Sequence, residues 1–159
     1  VIAASEQWTM KFLKSAPFQV FLVACVLLVG FQLVARALRP ASAATPAFFD
    51  KSVTIPEALS ASRESGKPAL LFVTADWCGP CQGLKRGALA DERVGAWIAA
   101  NTHPVYVDAT SDLPREAEGF NIEGFPTLLL VRDGREVSRI VGGVPTDELL
   151  GWLQSSSPR

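Results

Sequence analysis

The sequence predicts an α/β domain, a mixed central sheet flanked by helices, preceded by one N-terminal transmembrane helix. Three observations predict it. From residue 54 onward, helical and strand patterns alternate in the order α-β-α-α-β-α-β-β-α. The early strand patterns are separated by helices, whereas the last two are joined by a tight-turn signal, so parallel crossovers lead into an antiparallel hairpin. Near the N-terminus, 21 residues from Ser15 to Ala35 carry no charge.

That run, SAPFQVFLVACVLLVGFQLVA, holds only two Gln, and as a helix it spans roughly 30 Å, the hydrocarbon thickness of a bilayer. It is apolar on every face, unlike a helix of a small soluble core. A cleaved signal peptide is the main competitor, since Ala41-Ser42-Ala43 fits a small-x-small cleavage site. Against cleavage, the run is longer than a usual signal core, and Arg36 and Arg39 intervene before the site. Leu22-Val23-Ala24-Cys25 resembles a lipobox, but apolar sequence continues after Cys25. The chain begins at Val1 and its single Met is Met10, so translation is read as starting at either position. Lys11 and Lys14 precede the span and Arg36, Arg39 and Lys51 follow it, so the positive-inside count is not decisive. The signal-like layout favours export of the C-terminal part.

Residues 40–47 form a small-residue linker. The division expected is a short tail at 1–14, an anchor at 15–38, a linker at 39–47, a folded domain at 48–154 and a C-terminal tail at 155–159. Within the domain, Thr54-Ile55-Pro56-Glu57 is a capping-box pattern with Pro early in the first turn, and Gly66 ends that helix. Ala69 to Thr74, ALLFVT, is a continuous apolar run suited to a central strand buried on both faces. A helix is expected from Cys78 to about Leu89, and a second from Asp91, as cap, to Ala100. Val105-Tyr106-Val107 reads as a short strand, Pro114 to Phe120 as one or two helical turns, and Thr127 to Val131 as a strand. Asp133-Gly134 signals a hairpin leading to Glu136–Val141. Gly142-Gly143 breaks the chain, and Thr146 caps a last helix with Leu149, Leu150 and Leu153 on its apolar side.

Composition excludes several classes. Hydrophobic residues make up 48%, too many for a disordered chain, and three cysteines are too few for a disulfide-dense scaffold. The net charge of −1 gives no support for a basic nucleic-acid binder. It also divides unevenly. Residues 1–47 carry four basic groups and one acid, whereas the remainder carries eleven and fifteen. An acidic domain behind a basic anchor is a tethered arrangement, with no polybasic patch to grip lipid.

The chemistry is carried by Cys78-Gly79-Pro80-Cys81, which follows Ala75-Asp76-Trp77 at the end of the first strand. Cys78 falls at a helix N-terminus, where unpaired N–H groups and the macrodipole favour a thiolate. Cys81 lies three residues on, on the same helix face, and can attack a mixed disulfide at Cys78. Pro80 fits the first turn, where a missing N–H costs little. A zinc site would need four ligands, but the remaining Cys, Cys25, is in the apolar segment and His103 is the lone His. A pair of inert buried thiols is the other alternative. His103, beside Pro104 at a strand start, reads as a surface or capping residue. Asp112, Glu116, Glu118 and Glu123 read as a solvated face.

Ala75-Asp76-Trp77-Cys78-Gly79-Pro80-Cys81 resembles the thioredoxin active site, and the resemblance covers Phe48 to Gln154. Gly124-Phe125-Pro126-Thr127 matches the family's cis-proline loop, Asp133-Gly134 its late hairpin, and Gly142-Gly143 its turn before the last helix. TADWCGPCQGLKRGALADERV is similar to the C-terminal domain of the transmembrane thiol reductase DsbD and to related exported thioredoxin-like proteins. The resemblance implies a thioredoxin fold, with Cys78 as nucleophile, Cys81 as resolving thiol and a redox-active Cys78–Cys81 disulfide in place of any cofactor. It implies support of the site by Trp77, Gly79, Pro80 and a cis Pro126, and a substrate groove involving Phe125, Thr127 and Gly142. For Trp77 and Phe125, ordinary core packing stays open as the alternative.

There are departures from the family. Phe72 stands six residues before Cys78, where thioredoxins usually carry a buried acid, and Pro104 falls where a lysine often pairs with it. Asp76 is expected at the surface, where it would raise the Cys78 pKa by like-charge repulsion.

The function expected is a membrane-anchored thiol–disulfide oxidoreductase that reduces protein disulfides. Its place would be a bacterial inner membrane, single-pass, with the domain on the periplasmic side. A dithiol outside the cytosol needs a donor, here a transmembrane reductant of the DsbD or CcdA kind. The alternatives are a Cu(I)-binding metallochaperone, whose soft thiolate ligands the motif supplies, and a disulfide oxidase or isomerase.

Overall fold

The computed structural model describes residues 16–38 and 42–156. The readings made for the tail at 1–14, for Met10, Lys11, Lys14 and Arg39, and for residues 157–159 lie outside the described residues. The chain forms two compact units, Val1–Ala41 and Ser42–Arg159.

In the first unit, α1 (Ala16–Ala37) is one helix of 22 residues, about 33 Å long at 1.5 Å per residue. Its stretch Phe18–Ala37 has a mean hydropathy of 2.4, and none of it is buried. The helix is long and apolar enough to cross a membrane, and a signal sequence has the same length and composition. Cys25 lies within it as a free thiol.

The second unit is built on four strands. α2 (Ile55–Ser65) opens it: Thr54 accepts from the Glu57 N–H, and the Glu57 carboxylate accepts from the Thr54 N–H at 2.8 Å, a complete capping box. The Thr54 N–H first, and then the Thr54 hydroxyl at 2.8 Å, donate to the Glu57 carboxylate and hold it below its ordinary pKa. Gly66 closes the helix at φ 75°. β1 (Ala69–Thr74) follows, then α3 (Gly79–Arg86), α4 (Glu92–Asn101), β2 (His103–Asp108), the single turn α5 (Arg115–Glu118), β3 (Thr127–Arg132), β4 (Arg135–Val141) and α6 (Thr146–Ser156). The strand order is β2-β1-β3-β4. β1 and β2 are parallel, whereas β1 with β3 and β3 with β4 are antiparallel. This is the expected thioredoxin fold, a mixed sheet flanked by helices.

Strand alternation sorts the core into two layers. Leu70, Phe72, Leu128 and Leu130 face α3, α4 and α6, packing on Leu84, Ile98, Leu149 and Leu153. Leu71, Val73, Leu129 and Val131 face α2 and α5, packing on Ile55, Ala58 and Ala117. Every residue of β1 is buried, as its unbroken apolar run requires.

Three details differ from the sequence reading. The helix after Cys78 ends at Arg86 rather than near Leu89. Gly87 leaves helical geometry, at φ −102° and ψ −105°, and Ala88–Ala90 form a separate 3₁₀ turn. A Cβ at Gly87 would sit 3.1 Å from the Gly83 carbonyl oxygen, so the break needs a small residue there. Thr146 is inside the last helix, not its cap, because the Leu149 N–H already donates to the Pro145 carbonyl at 3.0 Å. In the parallel register, Tyr106 rather than Pro104 lies beside Phe72, and Pro104 lies beside Leu70.

Candidate active site

The site forms where β1 ends and α3 begins. Cys78 is the N-cap of α3, in extended backbone (φ −83°, ψ 107°), and its sulfur accepts from the Cys81 N–H at 3.2 Å. Cys78 and Cys81 form a disulfide with Cα atoms 5.2 Å apart. Cys78 is 5% exposed and Cys81 is fully buried, so Cys78 is the one of the pair that reaches the surface. Once the bond opens, the N-terminal N–H groups and helix dipole act on the Cys78 sulfur, and both favour a thiolate.

Gly79 and Pro80 are exposed in the first turn of α3. The Phe125–Pro126 peptide is cis. Pro126 is buried, and Phe125 packs against Ala75, Cys78 and Cys81. The Gly142 N–H donates to the Pro126 carbonyl at 2.8 Å, and Gly142 holds φ 93°, a conformation that suits glycine. A Cβ on the next residue, Gly143, would lie 3.7 Å from the Pro80 carbonyl. Thus the cysteines, the 124–127 loop and the β4–α6 turn meet in one place. Thr127 turns inward: it is fully buried and its hydroxyl donates to the Gly124 carbonyl at 2.7 Å, fixing the loop rather than lining a groove with its side chain.

Trp77 is 65% exposed, so it is not a core residue. It stands edge-on against Phe125, with ring centroids 5.6 Å apart, and its indole N–H donates to the Thr110 carbonyl at 2.9 Å. The Thr110 hydroxyl accepts from the Asp76 N–H at 2.9 Å, and the Thr110 N–H donates to Asp108 Oδ1 at 2.9 Å. The turn after β2 therefore props the loop that carries Trp77. Thr110 gave no sequence signal, because nothing local ties it to a site 33 residues away.

Two more residues were not legible in the sequence. Gln82, one position after Cys81, is nearly buried and donates to the Ala75 and Asp76 carbonyls at 3.4 and 3.2 Å. Its Oε1 accepts from the Ala43 N–H at 2.5 Å. Lys85 is 3% exposed; its ammonium donates to Tyr106 Oη at 3.2 Å and lies 3.7 Å from Asp76 Oδ1. Asp76 itself is about half exposed, as expected. His103 sits at the start of β2 with Nε2 2.7 Å from Ser65 Oγ, and Asp112, Glu116, Glu118 and Glu123 are exposed, also as read from the sequence. Among the described residues, no three His, Cys, Asp or Glu side chains converge at metal-ligand spacing.

Residues 55–157 match the family of thioredoxin-like domains. A thioredoxin-like protein of Synechocystis is 36% identical over 90 residues, 57% of this chain and 82% of the relative. Among solved structures, a DsbH oxidoreductase is 25% identical with a TM-score of 0.58, over 74% of this chain and 88% of that one. The C-terminal domain of Neisseria meningitidis DsbD in its oxidised form superposes with a TM-score of 0.57 at 24% identity, over 68% of this chain and 97% of that one. This last likeness shows the fold alone.

Proposed function

Because the chain belongs to the thioredoxin-like family and is a thiol–disulfide oxidoreductase, we propose that it reduces disulfides in protein substrates from a membrane-anchored position. One observation carries the reading: a closed Cys78–Cys81 disulfide whose more accessible sulfur caps a helix beside the 124–127 loop.

In the reduced protein, the Cys78 thiolate attacks one sulfur of a substrate disulfide. The substrate S–S bond breaks, and its other sulfur leaves as a thiolate and takes a proton. The Cys81 thiolate then attacks the Cys78 sulfur, forms the intramolecular disulfide and releases the second substrate thiolate. Two electrons pass from the dithiol to the substrate. Trp77, Phe125 and the backbone near Pro126 and Gly142 border the approach to Cys78, where an extended substrate segment can lie as an added strand. The Gly-Pro spacer, which resembles that of reducing family members, supports reduction as the direction.

The apolar helix α1 supports an anchor, and the signal-like order of a short basic segment followed by the apolar run supports export to the periplasmic side of a bacterial inner membrane. In that compartment two electrons and two protons must be returned to the Cys78–Cys81 disulfide, by a transmembrane reductant of the DsbD or CcdA kind. Protease protection of the domain in sealed cells, lost when the outer membrane is opened, tests the side.

Two measurements test the chemistry. Equilibrium of the pair with glutathione is expected to give a potential near about −270 mV, and a value near about −120 mV would make the protein an oxidant instead. Cys81→Ser in the reduced protein is expected to accumulate a mixed disulfide with substrate at Cys78. Trapping no protein partner would count against exchange.

A further inference from the structure

Lysine is rarely buried unless its charge is paired, because an isolated ammonium loses its hydration. Lys85 has a side chain only 1% exposed. Its described partners are a neutral phenol, Tyr106 Oη at 3.2 Å, and the half-exposed Asp76 carboxylate at 3.7 Å, beyond hydrogen-bond range. The positive charge is therefore enclosed, with a counter-charge that is itself shared with water.

Its place in the fold gives that charge a use. Lys85 is four residues after Cys81 on α3, so the two share a helix face, with Cβ atoms about 5–6 Å apart. Helical side chains lean toward the helix N-terminus. The Asp76 contact is consistent with this lean, since Asp76 lies two residues before the N-cap Cys78. Its contacts with Tyr106 and Asp76, together with that lean, direct the ammonium toward the end of α3 that carries both sulfurs. Tyr106, which holds it, is the register neighbour of Phe72, and their rings meet edge to face at 5.7 Å. A charged group reaches this layer from the helix, while the strand position six before Cys78 is aromatic.

We propose that Lys85 is a positioning residue for the dithiol: its buried ammonium, held by Tyr106 and Asp76, stabilises the thiolate form of the Cys78–Cys81 pair and sets how readily the reduced protein yields its electrons. This rests on the dithiol-exchange reading. The closed disulfide has no anion for Lys85 to meet, whereas the reduced pair does, so the interaction favours the reduced form. Asp76 acts in the opposite sense by partly neutralising the ammonium. The other charged groups nearby are Lys51, 5.0 Å from the Tyr106 ring, and Arg86, Asp91 and Glu92, which border the same surface cavity as Lys85.

The test uses the full chain in detergent, equilibrated with glutathione buffers at neutral pH. Lys85→Met is expected to shift the equilibrium about tenfold toward the disulfide, which is about 30 mV toward a more negative potential. Lys85→Arg, which keeps the charge, is expected to stay within about threefold of the parent. Asp76→Asn is expected to move the equilibrium the other way, and its half-exposed site keeps the measurement possible if Lys85→Met fails to fold. Opposite shifts support the proposal, because a loosened fold would not reverse sign between the two. Unchanged equilibria, or shifts in the same direction, overturn it while leaving dithiol exchange intact. A parent pair inert toward glutathione overturns the dithiol reading and the role of Lys85 with it.

Discussion

Cys78→Ser lowers disulfide exchange by at least about a thousandfold, the scale on which removal of a covalent nucleophile acts. The expectation follows from the two sulfurs being unequal. Cys81 is fully buried within the first turn of α3, whereas Cys78 caps the helix and keeps some exposed surface. A hydroxyl at the cap can still accept the Cys81 N–H that now reaches the Cys78 sulfur at 3.2 Å, so the helix start survives. What is lost is the sulfur nucleophile, whose thiolate can form a bond to a substrate sulfur where a hydroxyl cannot. Cys81→Ser differs in kind: it leaves the first attack intact and stops the second, so it stalls with substrate attached. The measurement is the rate of insulin reduction driven by a small dithiol, with parent, Cys78→Ser and Cys81→Ser compared at equal concentration. Cys78→Ser retaining more than a few per cent of the parent rate would mean that Cys81 is reachable by substrate, against its burial.

The same contrast explains what could be read from the chain before its structure was known. The apolar run at 69–74 is legible as a central strand because both its faces are covered, by α2 and α5 on one side and by α3, α4 and α6 on the other. Cys78 at a helix N-terminus is equally legible, since a strand end, a Pro in the first turn and the C-x-x-C spacing are all local. Trp77 and Phe125 could be read either as core or as groove. Only the fold decides, leaving Trp77 65% exposed and setting Phe125 between it and the cysteines. Lys85 reads as surface in any one-dimensional scheme, because a charge two positions beyond Gly83 has no local reason to be buried. It is enclosed because Tyr106, from a strand 21 residues away, stands over the same helix face. Gln82 and Thr110 are similar: each ties the loop at 75–77 to a distant segment, and such ties exist only in three dimensions. The helix ending at Arg86 was missed because Gly87 looks like an ordinary helical glycine until its crowding against the Gly83 carbonyl is seen.

Phe72→Ala costs about 3–5 kcal/mol of stability, the range for emptying a buried aromatic site. Phe72 has no exposed surface and lies at the middle of β1, the strand paired on both sides. Its ring stacks on Phe49 at 5.5 Å and meets Tyr106 edge to face at 5.7 Å. A gap here cannot close easily, because β2 and β3 fix the backbone on either side and α3 and α6 cover the layer above. Set against the roughly 6–18 kcal/mol typical of a unit of this size, the loss is a large fraction. The urea midpoint should therefore fall by about 2 M for a slope of about 2 kcal/mol per molar. Val137→Ala, at a position 45% exposed on β4, is the control and should change stability by less than about 0.5 kcal/mol. Because Phe72 supports the Tyr106 ring that holds Lys85, its loss also predicts a shift of the glutathione equilibrium toward the disulfide in molecules that remain folded. A midpoint shift no larger than that of the Val137 control would show that the position six residues before Cys78 is not the packed aromatic site described.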